Sequence, residues 1–131
     1  MKRGSIEFFF SLQSSGVTHH HYGGLVDKES VLAKLRSFVA ERDWSQFHTP
    51  ENLAKSISIE AAELLECFQW SGEGERERVV EELADVLTYC FLLADKLGVD
   101  PLGIVSEKLA VTVKTYPVDK AKGSSAKYDE L

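Results

Sequence analysis

The sequence predicts an all-α fold, a four-helix bundle with short connections, on three observations. Apolar residues recur at 3, 4 and 7 spacing in successive segments, two segments open on a capping residue followed by proline, and no period-two alternation interrupts residues 27–117. At 131 residues, 44% hydrophobic and 27% charged, the chain has the length and balance of one globular domain with a single core.

The first helix starts near Asp27, with Asp27 or Ser30 as its cap, and places Val31, Leu32, Leu35, Phe38 and Val39 on one stripe. Asp43 to His48 breaks the pattern. Thr49-Pro50 then reads as an N-cap and first helical residue, because the N–H that proline lacks has no helical partner there anyway. That second helix is expected to reach about Trp70 and to stop at Ser71-Gly72-Glu73-Gly74. The third runs from about Glu75 to Leu97 with Gly98 as C-cap. It is apolar on most faces, through Val79, Val80, Leu83, Val86, Leu87, Phe91, Leu92 and Leu93, as suits the middle of a bundle or a subunit interface. Asp100-Pro101 repeats the cap-and-proline start, and a fourth helix extends to about Tyr116, where Pro117 stops it.

Residues 27–118 are therefore expected to form the helical domain, between an N-terminal extension (1–26) and a polar, irregular tail (119–131). The extension has no helical period and reads as a flexible polar stretch. Its adjacent His19, His20 and His21 do not converge on a helix or strand as metal ligands would. Lys2 and Arg3 ahead of Phe8, Phe9, Phe10 and Leu12 fall short of a secretory signal, since Glu7 interrupts a brief apolar run. The terminal Asp129-Glu130-Leu131 follows Tyr128, where an ER-retention signal needs lysine. Cys67 and Cys90 read as buried free thiols, and the expected compartment is the cytoplasm. A formal charge of -6 argues against binding a nucleic-acid polymer, though not against a single nucleotide carried with a divalent cation. No segment reads as a membrane span.

Most of the 21 acidic residues need no explanation beyond solvent; Glu73, Glu75 and Glu77, at a loop and helix start, suit the macrodipole. Glu60 and Glu63 differ, being three apart on one helix among Ile57, Ile59, Ala61, Ala62, Leu64 and Leu65. Glu82 and Asp85 repeat that spacing on the next helix, and a short turn makes the two helices antiparallel. Four carboxylates converging in a semi-apolar setting repel unless a cation joins them, and an all-oxygen set favours Mg²⁺, with Mn²⁺ as substitute, over Zn²⁺. Spacing alone is equally compatible with two solvated stripes. The sequence argues against a di-iron bundle, which uses Glu-x-x-His pairs, because no histidine follows His48.

Three blocks in order, Trp44 to Leu53, Ile59 to Trp70 and Glu81 to Leu87, resemble the MazG-like family. More narrowly they are similar to the dCTP pyrophosphatase branch of the all-α NTP pyrophosphohydrolases. The family mark is Glu-x-x-Glu, a spacer and Glu-x-x-Asp, and the resemblance covers roughly residues 30–131, including Gly123 to Tyr128. It implies hydrolysis of a nucleoside triphosphate, with deoxycytidine nucleotides and their modified forms leading, to the monophosphate and pyrophosphate. It implies Mg²⁺ on Glu60, Glu63, Glu82 and Asp85, and Glu63 or Glu60 as the catalytic proton acceptor. It also implies assembly into homodimers or homotetramers whose sites are built in part by neighbouring subunits. The positions matching the base-enclosing residues of that branch are His48, Trp44, Trp70 and Tyr89; Tyr89 follows Glu82 by seven residues and shares its helix face.

One segment departs from the pattern. Before the Tyr-Pro pair, relatives commonly carry Lys-Asn and a further lysine, where this chain has Val111, Thr112 and Thr115. Lys108 and Lys114 stand nearby as candidate phosphate contacts. The departure supports a second reading, a catalytically weak or inactive helical oligomer that binds a nucleotide. A general helical assembly module is the third, and it needs no metal.

Overall fold

The computed structural model describes residues 26–131; apart from Val26, the N-terminal extension and its histidines lie outside the described residues. Helix α1 (Lys28–Glu41) is capped by Asp27, whose Oδ1 accepts the Ser30 N–H at 2.7 Å. It buries Leu32 and Val39, two turns apart on one face. Past its end the Arg42 guanidinium lies 3.8 Å from the Phe38 ring centre, and Trp44 meets the same ring edge-on at 5.5 Å. Asp43 takes a left-handed conformation (φ 53°), which a short polar side chain tolerates, and turns the chain into a 3₁₀ segment, Trp44–Gln46. The Gln46 amide donates to the carbonyl and to Oδ2 of Asp43, each at 3.0 Å.

Helix α2 (Pro50–Glu66) begins as the sequence predicts. Thr49 Oγ1 accepts the Asn52 N–H at 3.2 Å, and the Asn52 amide donates to the Phe47 carbonyl at 2.9 Å, tying the 3₁₀ segment to the helix. It ends four residues before Trp70, a correction to the expected boundary. Past Glu66 the N–H groups of Cys67, Phe68 and Gln69 turn to the carbonyls three residues back, at 3.2, 3.0 and 3.1 Å, and Phe68 packs over Gly74, where an added Cβ would stand 3.0 Å from both the Phe68 ring and the Val79 side chain. Gly74 also has φ +64°, so glycine is needed there for conformation and for space.

Helix α3 (Arg76–Leu97) starts after Glu75 and ends on Gly98 in the left-handed region, with the Val99 N–H reaching the Ala94 carbonyl at 3.0 Å. Helix α4 (Pro101–Thr115) is capped by Asp100, which accepts the Leu102 N–H at 3.3 Å. The tail expected to be irregular holds a short helix, α5 (Val118–Ala121), and a 3₁₀ turn, Tyr128–Glu130. Tyr128 closes edge-on against Tyr116, with ring centres 6.3 Å apart. No strand occurs among the described residues, and none of their helices is long and apolar enough to cross a membrane.

The main packing unit is the α2–α3 hairpin. Its helices run antiparallel: Arg78 meets Glu66 at one end, and His48 feels the charge of Lys96 at the other. Helix α1 is braced to α3 by Arg36, whose Nη2 and Nε reach Asp95 at 2.5 and 3.0 Å. Lys28 ties it to the start of α4 through Asp100 at 2.6 Å. Leu53, in the hairpin, is fully buried. Leu53→Ala is expected to lower unfolding free energy by about 2–5 kcal/mol, read from urea denaturation at fixed protein concentration.

The four long helices do not close into a filled bundle within one chain. Helix α4 has no buried residue and touches α3 lightly. Helix α3, expected in the middle, buries only part of its circumference, and Val80, Leu83 and Leu87 at 3, 4 and 7 spacing stay exposed. Cys67 and Cys90 are free as expected, but half-buried rather than buried.

Candidate metal-binding active site

Within the hairpin, the i, i+3 spacing puts Glu60 and Glu63 on the α2 face that meets α3, and Glu82 and Asp85 on the facing side. One carboxylate oxygen from each of Glu60, Glu63 and Glu82 lies within 4.8 Å of the other two. Asp85 stands outside that grouping of three but close enough to raise the pKa of Glu60 and Glu82.

The electrostatics are those of carboxylates brought together without adequate counter-charge. Burial, then the charges of Glu63, Asp85 and Glu82, push the Glu60 carboxyl up to about 7. Glu82 is raised by burial, by Glu63 and by Asp85, while Arg78 opposes the shift; Asp85 is raised by burial, then by Glu63 and Glu81. Beside them Tyr89 is buried, and its hydroxyl is pushed up to about 12, by burial first and then by Glu60 and Asp85. It therefore stays protonated, a donor next to an acceptor-rich cluster. An all-oxygen set whose members raise one another's pKa fits a hard divalent cation.

The other expected residues are not gathered here within one chain. His48 is buried, its pKa lowered by burial and by Lys96. It sits beyond the opposite end of α2, where Pro50 is a rise of about 15 Å along the helix from Glu60. Trp44 is half-buried against Phe38 in the same region. Trp70 lies past the C-terminus of α2 and is 90% exposed, so it is neither a core residue nor part of an enclosed pocket in the single chain. Lys108 and Lys114 are exposed on α4, and neither is among the charges that shift Glu60, Glu82 or Asp85. Sequence reasoning missed Arg78, which stands 3.8 Å from Glu82 and 3.6 Å from Glu66. The i, i+4 spacing to Glu82 was the available signal.

Fold and site together define, among the described residues, a helical protein with a carboxylate cluster between two antiparallel helices. Residues 55–131 match the MazG-like family. The dCTP pyrophosphatase 1 of Homo sapiens is 46% identical over 114 residues, which are 79% of this chain and 66% of that protein. The dCTP pyrophosphatase 1 of Rattus norvegicus is 40% identical over 113 residues, with the same two shares. This chain thus spans just under two thirds of the length of those relatives. A crystallised pyrophosphatase from Archaeoglobus fulgidus superposes with a TM-score of 0.66 at 40% identity, covering 78% of this chain and 99% of that one. The chain belongs to the MazG-like family.

Folded Glu60 keeps its proton up to about pH 7, whereas the unfolded chain releases it near 4.5. Between those values the native state binds more protons, so this group's contribution to metal-free stability is full below about 4.5 and is lost as pH rises towards 7. A cation must displace the same proton. Calorimetric Mg²⁺ titrations at about pH 6 and about pH 8 are expected to show tighter binding at the higher pH, with proton release at the lower one. Equal affinities would contradict the coupling.

Proposed function

We propose that this chain is a Mg²⁺-dependent nucleoside triphosphate pyrophosphohydrolase that converts a (deoxy)nucleoside triphosphate to its monophosphate and pyrophosphate, with dCTP and modified deoxycytidine triphosphates the leading substrates. The observation that carries this reading is the convergence of Glu60, Glu63 and Glu82, with Asp85 beside them and Glu60 pushed up to about 7. The names of the similar proteins point the same way.

Glu60, Glu63, Glu82 and Asp85 would hold Mg²⁺, or Mn²⁺ in its place. When bound, such an ion neutralises triphosphate charge and makes a neighbouring water more acidic. Water oxygen attacks the α-phosphorus, the bond from that phosphorus to the α–β bridging oxygen breaks, and pyrophosphate leaves with the bond's electron pair. The water proton passes to a carboxylate of the cluster. Glu60 and Glu63 are the candidates, whichever of them keeps an oxygen free of the metal. Tyr89, protonated and near Glu60 and Asp85, is proposed to line the nucleotide site beside those carboxylates. His48, Trp44 and Trp70 are proposed to enclose the base, and Lys108 and Lys114 to contact phosphate. Their separation from the cluster in one chain, with the uncovered faces of α3 and α4, supports a homo-oligomer in which neighbouring copies complete the site.

The substrate is a free nucleotide, which suits a chain of net charge -6, and the cytoplasm is the proposed compartment, supported by two unpaired cysteines. One observation favours the second reading, weak catalysis. The Thr112 and Thr115 hydroxyls donate to Lys108 and Val111 carbonyls on their own helix at 3.0 and 3.1 Å, so they do not stand in for phosphate-binding groups. Incubation with a panel of NTPs and dNTPs plus Mg²⁺ is expected to release monophosphate and pyrophosphate, fastest from a deoxycytidine form. No release from any substrate overturns the proposal.

A further inference from the structure

A triphosphate approaching carboxylates meets repulsion that divalent cations only partly remove, so the site needs a protein cation on the same face. Lys108 and Lys114, on α4, are not among the charges acting on the cluster within the chain. Arg78 is. It lies in the first turn of α3, one turn before Glu82 and two before Asp85, which puts its side chain on the carboxylate face. Its Nε is 3.8 Å from Glu82 Oε1 and its Nη2 is 3.6 Å from Glu66 Oε2. Both distances exceed a hydrogen bond, so the guanidinium is attracted to these carboxylates without its N–H donors being spent on them. The side chain is 48% exposed and can swing. An exposed, loosely spaced pair of this kind contributes little to stability. A planar fork of donors at the rim of an anion-handling site is instead suited to grip phosphate oxygens two at a time.

We propose that Arg78 is the phosphate clamp of this site, leaving its loose pairing with Glu82 and Glu66 to hold non-bridging oxygens of the triphosphate on the α3 N-terminal side of the cluster. The assignment rests on the triphosphate reading above and adds to it a residue that binds the phosphate chain rather than the nucleoside. Its signature is therefore discrimination between triphosphate and monophosphate.

The test is calorimetric binding, with Mg²⁺, of a deoxynucleoside triphosphate analogue carrying carbon at the α–β bridge, and of the matching monophosphate, to wild type, Arg78→Ala and Arg78→Lys. Steady-state kinetics on the hydrolysable substrate and Mg²⁺ titration without nucleotide accompany it. Arg78→Ala is expected to weaken analogue binding by about 10- to 100-fold, to raise KM to match, and to leave monophosphate and Mg²⁺ affinities near wild type. Arg78→Lys is expected to recover part of the loss, since it keeps the charge without the fork. Unchanged analogue binding in Arg78→Ala overturns the clamp while leaving the hydrolase reading intact. So does equal weakening of monophosphate or of Mg²⁺, which would mark a role in holding the carboxylates. A wild-type protein that neither binds nor cleaves any triphosphate overturns both.

Discussion

Glu63→Gln is expected to reduce kcat by about 10³-fold or more while making the metal-free protein more stable above neutral pH. Glu63 is the hub of the cluster: after burial, it is the largest cause of the raised values of Glu60, Glu82 and Asp85 alike. Glutamine keeps the side chain's shape and one acceptor oxygen but removes the charge those three carboxylates feel. Divalent-cation affinity should fall, and the Glu60 carboxyl should titrate below its present value of about 7. The thermal midpoint without metal should rise by several degrees at about pH 8, and the gain should fade at about pH 4, where wild-type Glu60 is already protonated. Carboxyl NMR titration, thermal melts across pH and a pyrophosphate-release assay read the three consequences separately. Lost activity without increased alkaline stability would make Glu63 a functional group outside a repulsive cluster. Increased stability with full activity would remove the cluster from the chemistry. Only both together match the arrangement of α2 and α3.

The parts of this fold legible in the sequence are those decided within a few residues. Asp27, Thr49-Pro50, Asp100-Pro101 and Gly98 mark helix ends because caps, proline and left-handed glycine act locally, and all four ends stand where they were expected. The C-terminus of α2 lies earlier than the apolar period suggests, because past Glu66 the backbone tightens into three-residue turns that side-chain spacing does not mark. The two acidic pairs were visible as pairs, but their meeting depends on the register of α2 against α3, which no local period encodes. Arg78 escaped notice because a basic residue in a first helical turn ordinarily means a solvated face. The motif residues Trp44, His48 and Trp70 flank the Glu60–Glu63 pair in sequence, yet α2 sends them towards its two ends. Adjacency in a motif became separation in space. That separation, together with an α4 that buries nothing, is what a site completed between copies of the chain predicts.

Leu109→Glu should accordingly break the protein into monomers and, with them, its activity. On α4, Leu102, Val105 and Leu109 follow 3, 4 and 7 spacing; Val105 is 64% and Leu109 59% exposed. On α3 the uncovered stripe is Val80, Leu83 and Leu87. Two such stripes exceed the scattered apolar surface that a monomer normally shows, and each large side chain buried in an interface contributes about 1.5–3 kcal/mol. A glutamate on the α4 stripe would have to lose its hydration among apolar side chains, so it opposes association strongly. Wild type in sedimentation equilibrium should have a mass that is a multiple of 14.6 kDa, and Leu109→Glu should return it to the chain mass. Glu107→Gln, an exposed change on the same helix, is the control and should leave assembly intact. If neighbouring copies supply the base-enclosing and phosphate-contacting residues, the monomer should retain Mg²⁺ binding at Glu60, Glu63, Glu82 and Asp85, since those four come from one hairpin. Its affinity for nucleotide should nevertheless fall by about 10-fold or more. A monomeric variant with full turnover would show that one chain completes the site. A wild type that is already monomeric at micromolar concentration would leave the stripes of α3 and α4 for another purpose. Retained metal binding with lost nucleotide binding is the result that separates assembly from the carboxylate cluster. It would place the metal in the hairpin and the substrate between copies.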